Sequence, residues 1–349
     1  MFQTAVLGST GYSGAELVRL LSRHPRTGKP LLLTRRAENS PDATSAPGPS
    51  NGNGSGKGIG HGHLSSVPFS WEALQRHGVE LLFLATPHSV SRELVPEARA
   101  RGLRVIDLSG AWRLKQAEHR EVYGFADAGL ASELDESAVY GLPELRAKEI
   151  VDAGLVANPG CYATSVILAL APLLSAGLIN RERGIISDSK SGVSGAGKEP
   201  SARTHFVSVA DNFSAYSVFN HRHTGEMLEQ LGLASADLIF TPHLLPIPRG
   251  ILSTIYVHLQ REMTAAAVED CLRSFYRGRH WVRIFAAGTL PQIRNSVYSN
   301  YCDIGFSLAD DGRRLILVSC LDNLLKGAAG QAVQNMNLMR GWGEVEGLD

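Results

Sequence analysis

Short apolar runs alternate with segments that carry apolar residues at helical spacing through the first half of the chain. Residues 4–7, 31–34, 81–85 and 104–108 read as strands. Residues 11–22 read as a helix, with Leu17, Leu20 and Leu21 on one side and Pro25 beyond its end, and a second helix is expected over 90–101. This β-α-β-α rhythm predicts a parallel sheet with helices on both faces. From Ile185 onward the strands lengthen and alternate, over 251–259, 301–308 and 315–321. The run 301–306 has the period of a half-exposed strand. A second, α+β unit with a mostly antiparallel sheet is therefore expected, its open face available to another subunit. Residues 327–340 close the chain as a helix with Val333, Met336 and Met339 on one face. The fold class is α/β.

Composition narrows the function classes. The 349 residues suit two domains, and 44 % apolar with 19 % charged residues is globular. Lys+Arg and Asp+Glu number 34 each, so no global charge favours nucleic acid. No apolar run is long enough to span a membrane: 166–174 is half the length and contains Pro172. The first residues lack the basic region of a secretory signal. Cys161, Cys271, Cys302 and Cys320 form no C-x-x-C pair, so reduced thiols in a cytoplasmic protein are expected and no metal site. Residues 37–66, rich in Gly, Ser, Pro and Asn, read as a flexible surface loop whose His61 and His63 are solvated.

Gly8-Ser9-Thr10-Gly11-Tyr12-Ser13-Gly14 joins the first strand to the first helix. Glycines there let backbone approach a pyrophosphate, and the helix start offers free N–H groups. At the end of the second strand an NAD enzyme commonly places an acid. Thr34-Arg35-Arg36 stands there instead, which suits the 2′-phosphate of NADP(H), although Glu38 leaves NAD open. Thr86 and Pro87 follow the strand 81–85 at the same edge.

The strongest chemical signal is Asn158-Pro159-Gly160-Cys161. A strand ends there and an apolar helix, 163–174, begins. Free amides and the helix dipole should lower the thiol pKa and make Cys161 a nucleophile. Cys271, Cys302 and Cys320 fall inside predicted elements and read as core. His221 and His223 precede another helix, and either imidazole could move the proton of a tetrahedral intermediate. Residues 187–197 read as a Gly/Ser loop in which Lys190, Ser191 and backbone N–H groups could cradle an anion. Arg113, just past a strand end, could hold a phosphate or form an ion pair.

Taken together, GSTGYSGAELVRLL, ATPHSVS, DLSGAWR, YGLPEL, NPGCYATS, SKSGVSGAGK, HRHTGEM, TPHLLPIPRGIL and DNLLKGAAGQAVQN resemble the N-acetyl-γ-glutamyl-phosphate reductases, which are related to aspartate-semialdehyde dehydrogenase. The pieces recur in order over nearly the whole chain. The resemblance implies a Rossmann-type NADP domain, 1–160 completed by 322–349, and a catalytic and dimerisation domain, 161–321. It implies Cys161 as the nucleophile that forms a thioester with an acyl phosphate and His221 as acid/base, with His223 as an alternative base or substrate contact. Arg113 and Lys190 would meet substrate anions, and Asn323 the nicotinamide. A homodimer or homotetramer is implied. Gly110-Ala111-Trp112 departs from the family's small-acidic-aromatic run, which leaves the aim of Arg113 open. Two other readings stay open: a reductase of carrier-linked aminoadipyl phosphate in lysine biosynthesis, and a non-catalytic NADP-sensing regulator.

Overall fold

The computed structural model describes residues 1–35, 66–124 and 131–349, the side chains of 131 and 132 excepted. The expected loop 37–66, all but its last residue, lies outside the described residues, as do Arg36, Glu38, His61 and His63.

The first sheet is wholly parallel. Its strands are β1 (Thr4–Leu7), β2 (Leu31–Thr34), β3 (Val67–Pro68), β4 (Leu81–Leu84), β5 (Arg104–Asp107), β6 (Val139–Tyr140) and β7 (Leu155–Ala157), in spatial order β3-β2-β1-β4-β5-β7-β6. Every residue of β1 and of β4 is buried, because helices cover both faces and the strands need not alternate. Helices Tyr12–Leu21 and Gly330–Met339 pack on one face, where Leu17 and Leu21 meet Val333, Met336 and the strand residues Val6 and Phe83. The end of the chain thus returns to the sheet that its beginning starts. Helix His88–Ala100 covers the other face through Val90, Leu94 and Val95.

The second sheet is mixed and mostly antiparallel. It holds β8 (Ile185–Gly192), β9 (Ser214–Ala215), β10 (Leu238–Leu245), β11 (Ile251–His258), β12 (Val282–Ile284), β13 (Cys302–Leu308) and β14 (Arg314–Leu321), in order β12-β13-β14-β11-β8-β10-β9. Pairs β8–β10 and β12–β13 are parallel. One face carries helix Cys161–Ser175; on the other, Ile239, Ile186, Tyr256 and Ile316 sit side by side across four strands, each at least a third exposed.

Three local expectations are corrected. Residues 185–192 are a central strand, where a loop was expected over 187–197; only 193–196 form a 3-10 turn. The serines of β8 misled because they look like loop residues. Ser187, Ser189 and Ser191 are buried under helix Cys161–Ser175, and their hydroxyls are satisfied inside: Ser189 donates to Ser253 at 2.8 Å, and Ser165 of the helix donates to Ser253 and Ser319 at 2.9 and 3.0 Å. Second, β13 is buried on both sides through Phe306, not half-exposed. Its outer side is covered by the preceding segment: a side chain on Gly305 would collide with Thr289 and Pro291. Third, the terminal helix begins after a π-turn, Leu325–Ala329.

Candidate active site

Cys161 is the first residue of helix Cys161–Ser175, which follows β7 through Asn158-Pro159-Gly160. The helix starts at the cysteine itself, two residues before the expected point. Gly160, in extended conformation, is its N-cap and supplies no side-chain cap, so the first N–H groups remain open around the sulfur.

Glu226 lies under this helix start, completely buried on helix His223–Leu231. Its carboxylate accepts from Gly160 N at 2.9 Å, from Tyr140 Oη at 2.7 Å and from an Arg113 guanidinium nitrogen at 3.0 Å. Arg113 also donates to the carbonyls of Asn158 and Leu108, both at 2.8 Å. All three guanidinium nitrogens therefore hold protein acceptors. The charge expected to meet substrate is neutralised by Glu226 and fixes the loop that leads into Cys161.

Burial pushes the Cys161 thiol up to about 11, against the downward pull of the Tyr162 N–H and of Arg113. The lowered pKa expected from the helix dipole is not what the substrate-free site shows: removal of the sulfur from water outweighs the amides. Burial likewise drives His221 down to about 2, helped by His223 and Arg222, and holds His223 well below its ordinary value. Both imidazoles rest neutral. Nδ1 of His221 accepts the His223 backbone N–H at 3.1 Å, so its own proton belongs on Nε2. Nδ1 of His223 is buried without a partner among the described residues. The His223 ring lies against Gly160, where any Cβ would strike it.

Gly327, in the π-turn, faces Cys161 from the other side. A Cβ there would sit 2.7 Å from Cys161 Cβ. The turn is anchored by Lys326, fully buried, whose ammonium meets Glu144 at 2.7 Å and Gln334 at 2.8 Å.

Two cavities meet at Cys161. One of about 330 Å³ runs from the thiol to the glycine loop; Gly11, Ser13, Thr86, Pro87 and Asn323 line it. Gly14 lines it as well, and Gly8, which does not, makes the loop possible: Gly8 has φ +93°, and side chains at either would collide with Ala85 or with Gly8 itself. Ser9, half-buried, and Thr10, exposed, form the turn between them. Helix Tyr12–Leu21 has no side-chain cap, so its amides face this cavity free. The cradle fits a dinucleotide diphosphate. Thr34 ends β2, and Arg35 makes an exposed pair with Glu93 at 3.4 Å. Asn323 is held by Ser194 and Gly250 at 2.9 and 2.8 Å.

The second cavity, about 570 Å³, contains Tyr162, Ser191, Tyr216 and His221 beside Cys161 and His223. Lys190 lines neither. Strand alternation turns it to the open face of the second sheet, where it pairs with Asp188 at 2.9 Å. Glu226, Arg222, Lys198 and Gly327 are site residues that pattern reading did not single out. Glu226 had one available signal: it stands three residues after His223, at the head of a buried helical stripe.

A parallel sheet with a diphosphate cradle, joined to a mixed-sheet unit with a cysteine between two cavities, has the architecture of a nucleotide-dependent dehydrogenase. The NAD-binding domain model of semialdehyde dehydrogenase matches residues 3–153, and the dimerisation domain model matches 161–323. The chain is 43 % identical to the N-acetyl-gamma-glutamyl-phosphate reductase of Pelotomaculum thermopropionicum over 99 % of its length and 97 % of that protein. It is 40 % identical to that of Bacillus subtilis over 98 % and 97 %. The chain belongs to the semialdehyde dehydrogenase family, among the N-acetyl-γ-glutamyl-phosphate reductases. The fold is shared with aspartate semialdehyde dehydrogenase II of Vibrio cholerae complexed with ASA (TM-score 0.69, 18 % identity, 98 % of both chains). It is shared too with the Candida albicans aspartate semialdehyde dehydrogenase with NADP (TM-score 0.61, 16 % identity, 97 % and 98 %).

Proposed function

We propose that this protein reduces N-acetyl-γ-glutamyl phosphate to N-acetylglutamate semialdehyde in the cytoplasm, with NADPH as reductant and release of phosphate. The observation that carries the reading is Cys161, set at an uncapped helix start between a diphosphate cradle and a second cavity of acyl-chain size.

The thiol must first lose its proton, and His223, whose ring borders both cavities with Cys161 and whose Nδ1 has no partner among the described residues, is the acceptor. Cys161 sulfur then attacks the acyl carbon. The carbon–oxygen bond to phosphate breaks, and a thioester remains. The free amides at the helix start hold the developing oxyanion. The expected acid/base work of His221 becomes that of a donor: with its proton on Nε2 and its ring lining the acyl cavity, it can hold the same oxygen. When bound, the nicotinamide supplies hydride to the acyl carbon. Collapse of the resulting oxyanion breaks the carbon–sulfur bond, frees the aldehyde and returns the thiolate, which recovers its proton from His223.

NADP rather than NAD follows from Arg35, whose exposed pair with Glu93 is weak enough to yield to a 2′-phosphate. A homodimer would bury the apolar row on the open face of the second sheet.

The test runs the reaction in reverse, with N-acetylglutamate semialdehyde, phosphate and NADP, then with NAD. NADPH formation that requires phosphate is expected. The Cys161→Ser variant should lose roughly a thousandfold or more in kcat while still binding NADP. Near-normal turnover by that variant would sink the thioester scheme.

A further inference from the structure

Gly195, Arg222 and His223 share with Cys161 the position between the two cavities. The glycine loop opens only into the smaller one, so a dinucleotide enters there and the acyl substrate is left the larger. That substrate has an anion at each end: the phosphoryl group beside the carbon under attack, and the α-carboxylate at the far end of the chain.

No Asp or Glu among the described residues lines either cavity. The cations there are unequal. Arg113 is already matched by Glu226 and by two carbonyls, so it brings no net charge to a ligand. Arg222 and Arg203 are exposed and pair with no carboxylate among the described residues; they stand over the rings of Tyr123 and Tyr216, at 5.8 and 5.2 Å. Arg222 borders both cavities next to the thiol. Arg203 borders only the acyl side.

We infer that Arg222 grips the phosphoryl group at Cys161 and that Arg203 takes the α-carboxylate at the other end. The inference rests on the reductase reading above. A guanidinium fork suits both oxyanions. The exposure of Arg222 lets it exchange water for phosphate and back again without an internal partner to abandon, which Arg113 lacks. The two arginines then act as a ruler: they select an acyl chain with a carboxylate at a set distance from the reacting carbon.

In the reverse direction phosphate and semialdehyde are separate substrates, so the two grips can be read apart. Arg222→Gln is expected to raise KM for phosphate by roughly tenfold or more and to leave KM for the aldehyde nearly unmoved. Arg203→Gln should do the opposite, and Arg222→Lys should recover part of the phosphate affinity. An unmoved phosphate KM in Arg222→Gln, or both KM values rising together in each variant, would overturn the assignment. Should a variant turn over too slowly to titrate, protection of Cys161 from iodoacetamide by inorganic phosphate reads the same grip. Protection lost in Arg222→Gln and kept in Arg203→Gln supports it; equal protection in wild type and Arg222→Gln refutes it. Wild-type protein that forms no NADPH with phosphate and aldehyde would instead sink the reductase reading itself.

Discussion

The two sheets solve burial differently. The first is parallel and covered on both faces, so it meets ligands only at its carboxyl edge, where the glycine loop lies. The second is covered on one face and leaves a row of Ile239, Ile186, Tyr256 and Ile316 on the other. A closed sheet with a working edge binds small molecules; a half-covered sheet with an apolar face binds another protein surface. Cys161 stands at the junction. Chemistry and assembly should therefore fail separately.

The largest separation is expected from pH. Because the thiol is held near 11, the thiolate fraction grows about tenfold per pH unit below that value. The rate of Cys161 alkylation by iodoacetamide should climb by roughly a thousandfold from pH 7 to 10, with the oligomer unchanged. A plateau by pH 8 would mean a preformed thiolate and a junction wetter than described. Next comes Glu226→Gln, which leaves Arg113 buried without its counter-charge. Denaturant titration should show a loss of about 3–5 kcal/mol. A loss below about 1 kcal/mol would show that the carboxylate is not the counter-ion.

Gly327→Ala places a methyl against Cys161 Cβ. The expected cost is about 1–3 kcal/mol of strain at the nucleophile, read as a lower kcat with NADP affinity retained. Ile186→Lys is the complementary change. It should leave the thiol's alkylation profile intact and shift the sedimentation coefficient toward the monomer; an unshifted oligomer would place the subunit contact elsewhere.

Much of this architecture was readable from pattern. The strands over 4–7 and 31–34 and the helix after the glycine loop fall within a residue of their expected ends, since buried parallel strands and amphipathic helices carry strong periodic signals. What escaped was polar residues used inside. β8 hides as a serine-rich loop because its hydroxyls are used inside: Ser187 pairs with Ser189, and Ser189 donates to Ser253, which also accepts from Ser165 of the covering helix. β10 contains Pro242, tolerated because beyond it lies only the two-residue β9. At the site, Cys161 was legible from its approach and its helix. The fate of Arg113 was not, because its partner Glu226 comes from a helix 113 residues further along the chain. Spacing along a sequence does not report such pairings.

The return of helix Gly330–Met339 to the first sheet sets a clock for the nascent chain. Val6, Leu17 and Phe83 share a core with Val333 and Met336, so the apolar face formed by the early residues has only helix Tyr12–Leu21 over it until the late ones emerge. At roughly 5–20 residues per second, on the order of ten to forty seconds separate the synthesis of Gly160 from that of Met339. During that interval the first sheet is a half-built layer, and whatever shields it on the ribosome must let go in time for the last helix to dock.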